Sequence, residues 1–199
     1  MALNFANNNS LSSITAKPSG LAGGGLNLIS TQTASSSANL SFTSGIDSTY
    51  KEYVFKFYNI HPASQAFLGF NFSIDGGSNY NAVKTSTNFR AYHSEADATN
   101  LEYKDGDDIA QGTGLVLTAG NLGNANDESS SGELFLFSPS STTFVKHFIF
   151  RSSSVSSAPA AFDCFVAGYI NTTSAVNAVQ FAMSSGNIDS GVIKLYGVS

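Results

Sequence analysis

The chain has 199 residues, of which only 12% are charged, and a formal net charge of −5. It carries no basic stripe to neutralise phosphates, so no nucleic-acid partner is expected. Its single cysteine excludes an intrachain disulfide framework, and no apolar run approaches the roughly 20 residues of a bilayer span, so no membrane partner is expected either.

The charged share is about half the usual value. Sixteen Phe, eight Tyr and no Trp sit among many Ser, Thr, Asn and Gly residues, a β composition with neutral surfaces. Such surfaces suit a protein whose faces are covered by other subunits, because interface cores are depleted of charge. The length fits one domain plus a tail, burying about 70% of the unfolded chain's surface.

Residues 1–25 are rich in Asn, Ser and Gly, with Leu3, Phe5, Leu11, Ile14 and Leu21 scattered among them. This composition cannot close a core alone. The segment reads as a flexible tail or as an extended N-terminal arm, the latter ordered by docking on a neighbouring subunit through those five residues. It lacks the basic start and apolar run of a signal peptide, which predicts synthesis in a cytoplasm without export.

Residues 26–199 read as one β-sandwich domain. Residues 26–33 form a first strand, 35–37 a turn, and 40–43 a short strand. Residues 50–60 are apolar on both sides, as in a strand covered on both faces near the middle of a sheet. His61 to Ser64 break the pairing, because Pro62 has no donor. In 67–74 the alternation is of period two, with Leu68, Phe70, Phe72 and Ile74 on one side. After the Asp75-Gly76-Gly77 turn, residues 80–92 form a strand.

Residues 93–113 concentrate acid. A short helix over 94–101 is consistent with Glu95-Ala96-Asp97-Ala98 as a first turn, and 104–108 is a polar loop. A strand at 114–118 precedes a long loop over 121–131. Strands at 133–137 and 144–151 follow, then a Ser-rich loop containing Pro159, then a strand at 162–170. Val179, Phe181 and Met183 share a strand face, and 185–190 turn that strand into the last one, 191–197, as a hairpin. Nine or ten strands with frequent turns predict an all-β, antiparallel, jelly-roll-like sandwich.

Little of this reads as catalytic. Cys164, between Phe162 and Val166 on one face, reads as a buried structural thiol with no nearby base. His61, His93 and His147 lack metal-ligand spacing. His93-Ser94-Glu95 resembles a triad fragment without the strand-turn-helix elbow a nucleophile needs. No acid pair for glycoside hydrolysis is recognisable. Asp105, Asp107 and Asp108 offer oxygens on one loop, as a calcium ion requires, but not in the spacing of the twelve-residue calcium loop. They read first as a solvated loop. With Tyr103 they form a candidate glycan or ion loop, and Tyr80 and Asn81 are further candidates for sugar stacking. No cofactor is expected.

Three runs carry a resemblance. They are 181–197, ending Val192-Ile193-Lys194-Leu195-Tyr196-Gly197, then 41–57, ending Tyr53-Val54-Phe55-Lys56-Phe57, and 136–144, with Phe137-Ser138-Pro139. Together they resemble a family of small, largely uncharacterised virion structural proteins of marine tailed bacteriophages and cyanophages. The resemblance implies a non-enzymatic β-sandwich virion component and carries over no catalytic residue. The expectation that follows is a capsid decoration or cement protein. It would bridge neighbours through its arm, with the major capsid protein or tail proteins as partners, and form a homo-oligomer such as a trimer by closed symmetry. The alternative is a tail or fibre adhesin binding host glycans through loops 93–113 and 121–131.

Overall fold

The computed structural model describes residues 25–199. The arm residues Leu3, Phe5, Leu11, Ile14 and Leu21 lie outside the described residues. There are thirteen strands: β1 (Leu26–Ser37), β2 (Leu40–Phe42), β3 (Glu52–Pro62), β4 (Ala66–Ser73), β5 (Lys84–Ser94), β6 (Thr99–Tyr103), β7 (Ile109–Gly112), β8 (Val116–Leu122), β9 (Ser130–Phe137), β10 (Lys146–Val155), β11 (Ala160–Ile170), β12 (Ala178–Met183) and β13 (Ile188–Val198). No helix occurs among the described residues.

Two antiparallel sheets pack face to face. The large sheet has the order β1-β13-β3-β9-β10-β11-β5-β6, with β7 also paired to β5, and the small sheet has the order β2-β12-β4-β8. The chain changes sheet at most connections, and two runs stay within the large sheet: β5–β7 and the β9-β10-β11 meander. This is the jelly-roll-like sandwich expected from the turn-rich strand pattern.

Several local expectations are corrected. His61 and Pro62 do not break the pairing but end β3, opposite Ser190 and Ile188 of β13, and the link is 63–65. β3 lies in the large sheet and β4 in the small one, so the link carries the chain across the core. The turn at 185–190 likewise crosses between sheets rather than closing a hairpin. β3 is fully buried on one side only: Tyr53, Phe55, Phe57 and Ile60 are buried inside, while Lys56 and Tyr58 face out. Residues 35–37 continue β1.

The helix expected over 94–101 is absent. Asp97 adopts a left-handed φ of 63°, which stops a helix after one turn. The Ser94 Oγ instead accepts the Ala98 N–H at 3.1 Å, tying a turn between β5 and β6. The Ser-rich stretch after Arg151 is not a loop, because β10 alternates buried and exposed through all ten of its residues. Ser152 and Ser154 occupy inward positions, and Ser154 Oγ lies 2.8 Å from Ser130 Oγ.

Phenylalanine rings hold the sheets together. Phe70 of β4 meets Phe148 and Phe150 of β10 across the core, at 5.6 and 5.4 Å, and Phe72 and Phe181 within its own sheet, at 5.6 and 6.3 Å. Phe57 stacks on Phe150 at 5.3 Å. A Cβ at Gly132 would come within 2.8 Å of the Phe57 ring and 2.7 Å of the Ser152 Cα, so only glycine fits beneath that stack.

One end of the sandwich buries two lysines. Lys146 and Lys84 flank Ile170 in register, and both are shielded from solvent. Lys84 Nζ donates to the Asn71 Oδ1 at 2.7 Å and the Ala82 carbonyl at 3.2 Å, and Lys146 Nζ donates to the Thr172 carbonyl at 3.0 Å. These acceptors are neutral, so desolvation dominates. It lowers both amines below their usual range and brings Lys84 from 10.5 to about 8.

Phe70→Ala is expected to cost about 3–5 kcal/mol in a denaturant titration, because it empties a site lined by rings from both sheets. Lys84 sets a pH dependence. Below about pH 8 both folded and unfolded amines are protonated, and the burial penalty is complete. Between about 8 and 10.5 the unfolded state binds more protons, so stability rises with pH, by at most about 3 kcal/mol. Lys84→Met should remove that rise relative to the parent chain, and an identical slope in the two proteins would contradict the assignment.

Candidate interaction surface

The large sheet has an outer face that the small sheet does not touch. Cross-strand register sets its side chains in rows. One row runs Leu28, Tyr196, Val54, Phe135, Ile149, Ala167 and Thr87 from β1 to β5. Beside it run Thr31, Lys194, Lys56, Glu133, Arg151, Phe165, Phe89 and Tyr103 from β1 to β6. The first row is apolar across six strands. The second is charged in the middle and aromatic at the β6 end.

The exposed large apolar side chains among the described residues are Leu26, Leu28, Tyr58, Ile74, Phe89, Leu101, Tyr103, Phe144, Ile149 and Val155. All but Ile74 and Phe144 stand on this one face, as their register partners show. Leu101 is 71% exposed and Leu28 57%. A concentration of this kind on one face makes it a candidate interaction surface, whereas singly scattered apolar residues do not.

Two ion pairs lie within the face, and Lys194 Nζ lies 5.7 Å over the Tyr58 ring. Lys56 Nζ lies 3.0 Å from the Glu133 carboxylate. Arg151 grips Asp163 with two bonds, of 3.1 and 2.8 Å, and its guanidinium lies 4.7 Å over the Phe165 ring. Phe165 in turn stacks on Phe89 at 4.9 Å. Lys56, Tyr58, His93, Glu133, Arg151 and Asp163 line a shallow groove of about 710 Å3 on this face.

The expected loop site is only partly assembled. Tyr103 sits opposite Phe89 on β6, and its hydroxyl donates to the Asp108 carboxylate at 2.6 Å. That bond raises the phenol's pKa above its ordinary value. Asp107 is half-buried and desolvation raises its carboxyl, while Asp105 is exposed at the tip. Among the described residues no three His, Cys, Asp or Glu side chains gather as a metal ion would require. Tyr80 does not present a sugar platform, since its hydroxyl is buried against Gly77.

The other candidates resolve into structural roles. The Ser94 hydroxyl is engaged in the 95–98 turn, and His93 contacts Asp97 at 3.1 Å, so the three residues 93–95 do not form a relay. His61 lies near Asp189, 3.5 Å away, on another part of the molecule. Cys164 is buried as expected, and desolvation pushes its thiol up to about 12. Around it lies a second small cluster of Ala160, Phe162 and Tyr92, where the large sheet extends past the small one. There Arg90 stacks over Phe162 at 4.6 Å and pairs with Glu102 at 2.6 Å.

No protein family, curated protein or solved structure matches this chain.

The thiol sets a direct test. Cys164 should resist a thiol reagent at pH 7.5 in the native protein and react only as the chain unfolds, so labelling and unfolding rates should coincide. Rapid labelling of folded protein would contradict the buried placement.

Proposed function

We propose that this chain is a non-enzymatic structural component of a tailed-phage virion, a capsid decoration or cement protein that bridges neighbouring subunits. The observation that carries the reading is the gathering of eight exposed large apolar side chains on one face of the large sheet. A stable interface takes about 800 Å2 from each partner. The large sheet, eight strands wide along its main path at about 4.8 Å spacing, offers a flat surface of that order. Two ion pairs within the face, Lys56–Glu133 and Arg151–Asp163, limit the charge that covering it would strand. Its partners on this reading are the major capsid protein or tail proteins, together with further copies of itself. The resemblance of runs 41–57, 136–144 and 181–197 to phage virion proteins supplies the biological setting.

A second reading has its own support. The groove lined by Tyr58, Glu133, Arg151 and Asp163 combines an aromatic ring with charged hydrogen-bonding groups, a combination that suits a sugar. On this reading the chain is a tail or fibre adhesin for host surface glycans, and the ligand sits on the sheet face beside Tyr103 rather than in the loops alone.

Particles purified from infected cells should contain the chain in stoichiometric amounts, and cryo-microscopy should place it on the shell. Recovery only in the soluble lysate would end the virion reading. Placement on the tail, with glycan-array binding that is lost in Tyr58→Ala and Tyr103→Ala, would select the adhesin.

A further inference from the structure

The chain itself carries a segment that could reach the outer face. Residues 1–24 join the sandwich just before β1, the edge strand of the large sheet. The first outward side chains of β1, Leu26 and Leu28, stand on the outer face opposite Val198 and Tyr196. The segment therefore enters the structure at the rim of this surface. It also matches the surface chemically. Lys17 is its one charged side chain, and Leu3, Phe5, Leu11, Ile14 and Leu21 are its large apolar ones. A nearly neutral, apolar-dotted segment suits a face that carries one apolar row beside a row holding two ion pairs.

Length decides whose face is covered. From β1 to β6 the sheet has seven strand spacings, about 34 Å. Twenty-four extended residues reach about 80 Å. A segment leaving Leu26 and running straight across its own sheet clears the far edge near Ile14, about 40 Å along. Leu11, Phe5 and Leu3 then have no surface of their own chain beneath them.

We propose that Leu3, Phe5 and Leu11 of one copy dock on the outer face of the large sheet of a second copy, against the rows containing Ile149 and Phe89. This rests on the building-block reading above and adds to it the identity of both partners. The exchange is reciprocal or cyclic, so every copy gives a segment and receives one, and closed symmetry limits its size. Tethering raises the local concentration of each segment near its receiving face once copies have met.

The test uses the full chain and two paired substitutions. One is Phe5→Lys with Leu11→Lys in the segment. The other is Ile149→Lys with Phe89→Lys on the face, at positions exposed in the sandwich. Light scattering should give a multiple of 20.8 kDa for the parent and 20.8 kDa for both variants. Thermal melting checks that the sandwich remains folded, and the segment variant leaves every sandwich residue unchanged. A monomeric parent overturns the proposal, even if the segment protects the face from hydrogen exchange, because that would place it on its own sheet. Dissociation by the face variant alone also overturns it, since the cover would then be a second sheet. Detection of the chain in virions is a separate measurement. It tests the building-block reading and leaves the mass result to test the exchange.

Discussion

The contact on which the structure depends is the ring of Phe70 against Phe148 and Phe150. Phe70 comes from the small sheet and the other two from the large one, so the pair of contacts fixes how the sheets lie on each other. With Phe42, Phe55, Phe57, Phe72 and Phe181 the rings form one aromatic layer. Aromatic side chains bury large areas and prefer offset or edge contacts, which single out one relative placement of the sheets. Tyr53 closes the layer at one end, and its hydroxyl bonds to the Asp47 carbonyl and carboxylate at 3.1 Å. A chain with no Trp and few aliphatic runs reaches a dense interior this way.

The two sheets are unequal, and the surface chemistry follows from that. Four strands cannot cover nine: β8 packs over parts of β11 and β5, and the inner side of the large sheet extends past it around Phe162. There the cover is local: Arg90 lies over Phe162 and is neutralised by Glu102, and Cys164 is buried behind them. Among the described residues no element covers the outer side. Leu28 and Ile149 in its apolar row are exposed, Val54 between them is buried, and the ion pairs lie in the adjacent row.

The sequence shows where the inner faces are more clearly than where the strands go. Alternation in 67–74 and in 178–183 identifies Leu68, Phe70 and Phe72 of β4 and Val179, Phe181 and Met183 of β12 as core, but Ile74 lies past the end of β4 and is exposed, and Gly69, Asn71 and Ser73 on the other side of β4 are buried as well. Neighbourhood was less legible. The short turn at 185–190 looks like a hairpin loop, yet in this sandwich such a short link crosses between sheets, and nothing local distinguishes the two. β10 was half hidden because its inward positions after Phe150 are serines, whose small side chains fit where Gly120 and Cys164 approach. The outer face was visible only as a residue of the reading, in strands such as 133–137 that are apolar on both sides. It becomes a surface once register brings Phe135, Ile149, Phe165 and Phe89 into adjacent rows.

The buried lysines show that this fold does not maximise stability at every position. Lys84 and Lys146 lose hydration and gain only neutral carbonyl partners. An apolar residue of similar size would avoid the desolvation cost. What the amines supply is register. A slip of one residue in β5 would turn Lys84 out and bring Thr85 in, leaving the Asn71 carbonyl without its amine donor and Ile170 beside the wrong neighbour. The penalty for a slipped strand is thus larger than alternation alone would impose. That matters most at this end of β5, where the irregular β7 pairing, shifted between Lys84 and Ser86, gives weak guidance of its own. A strand held to one register keeps Phe89 opposite Phe165 and Tyr103, so the amines inside the sandwich help determine which side chains the large sheet presents outside.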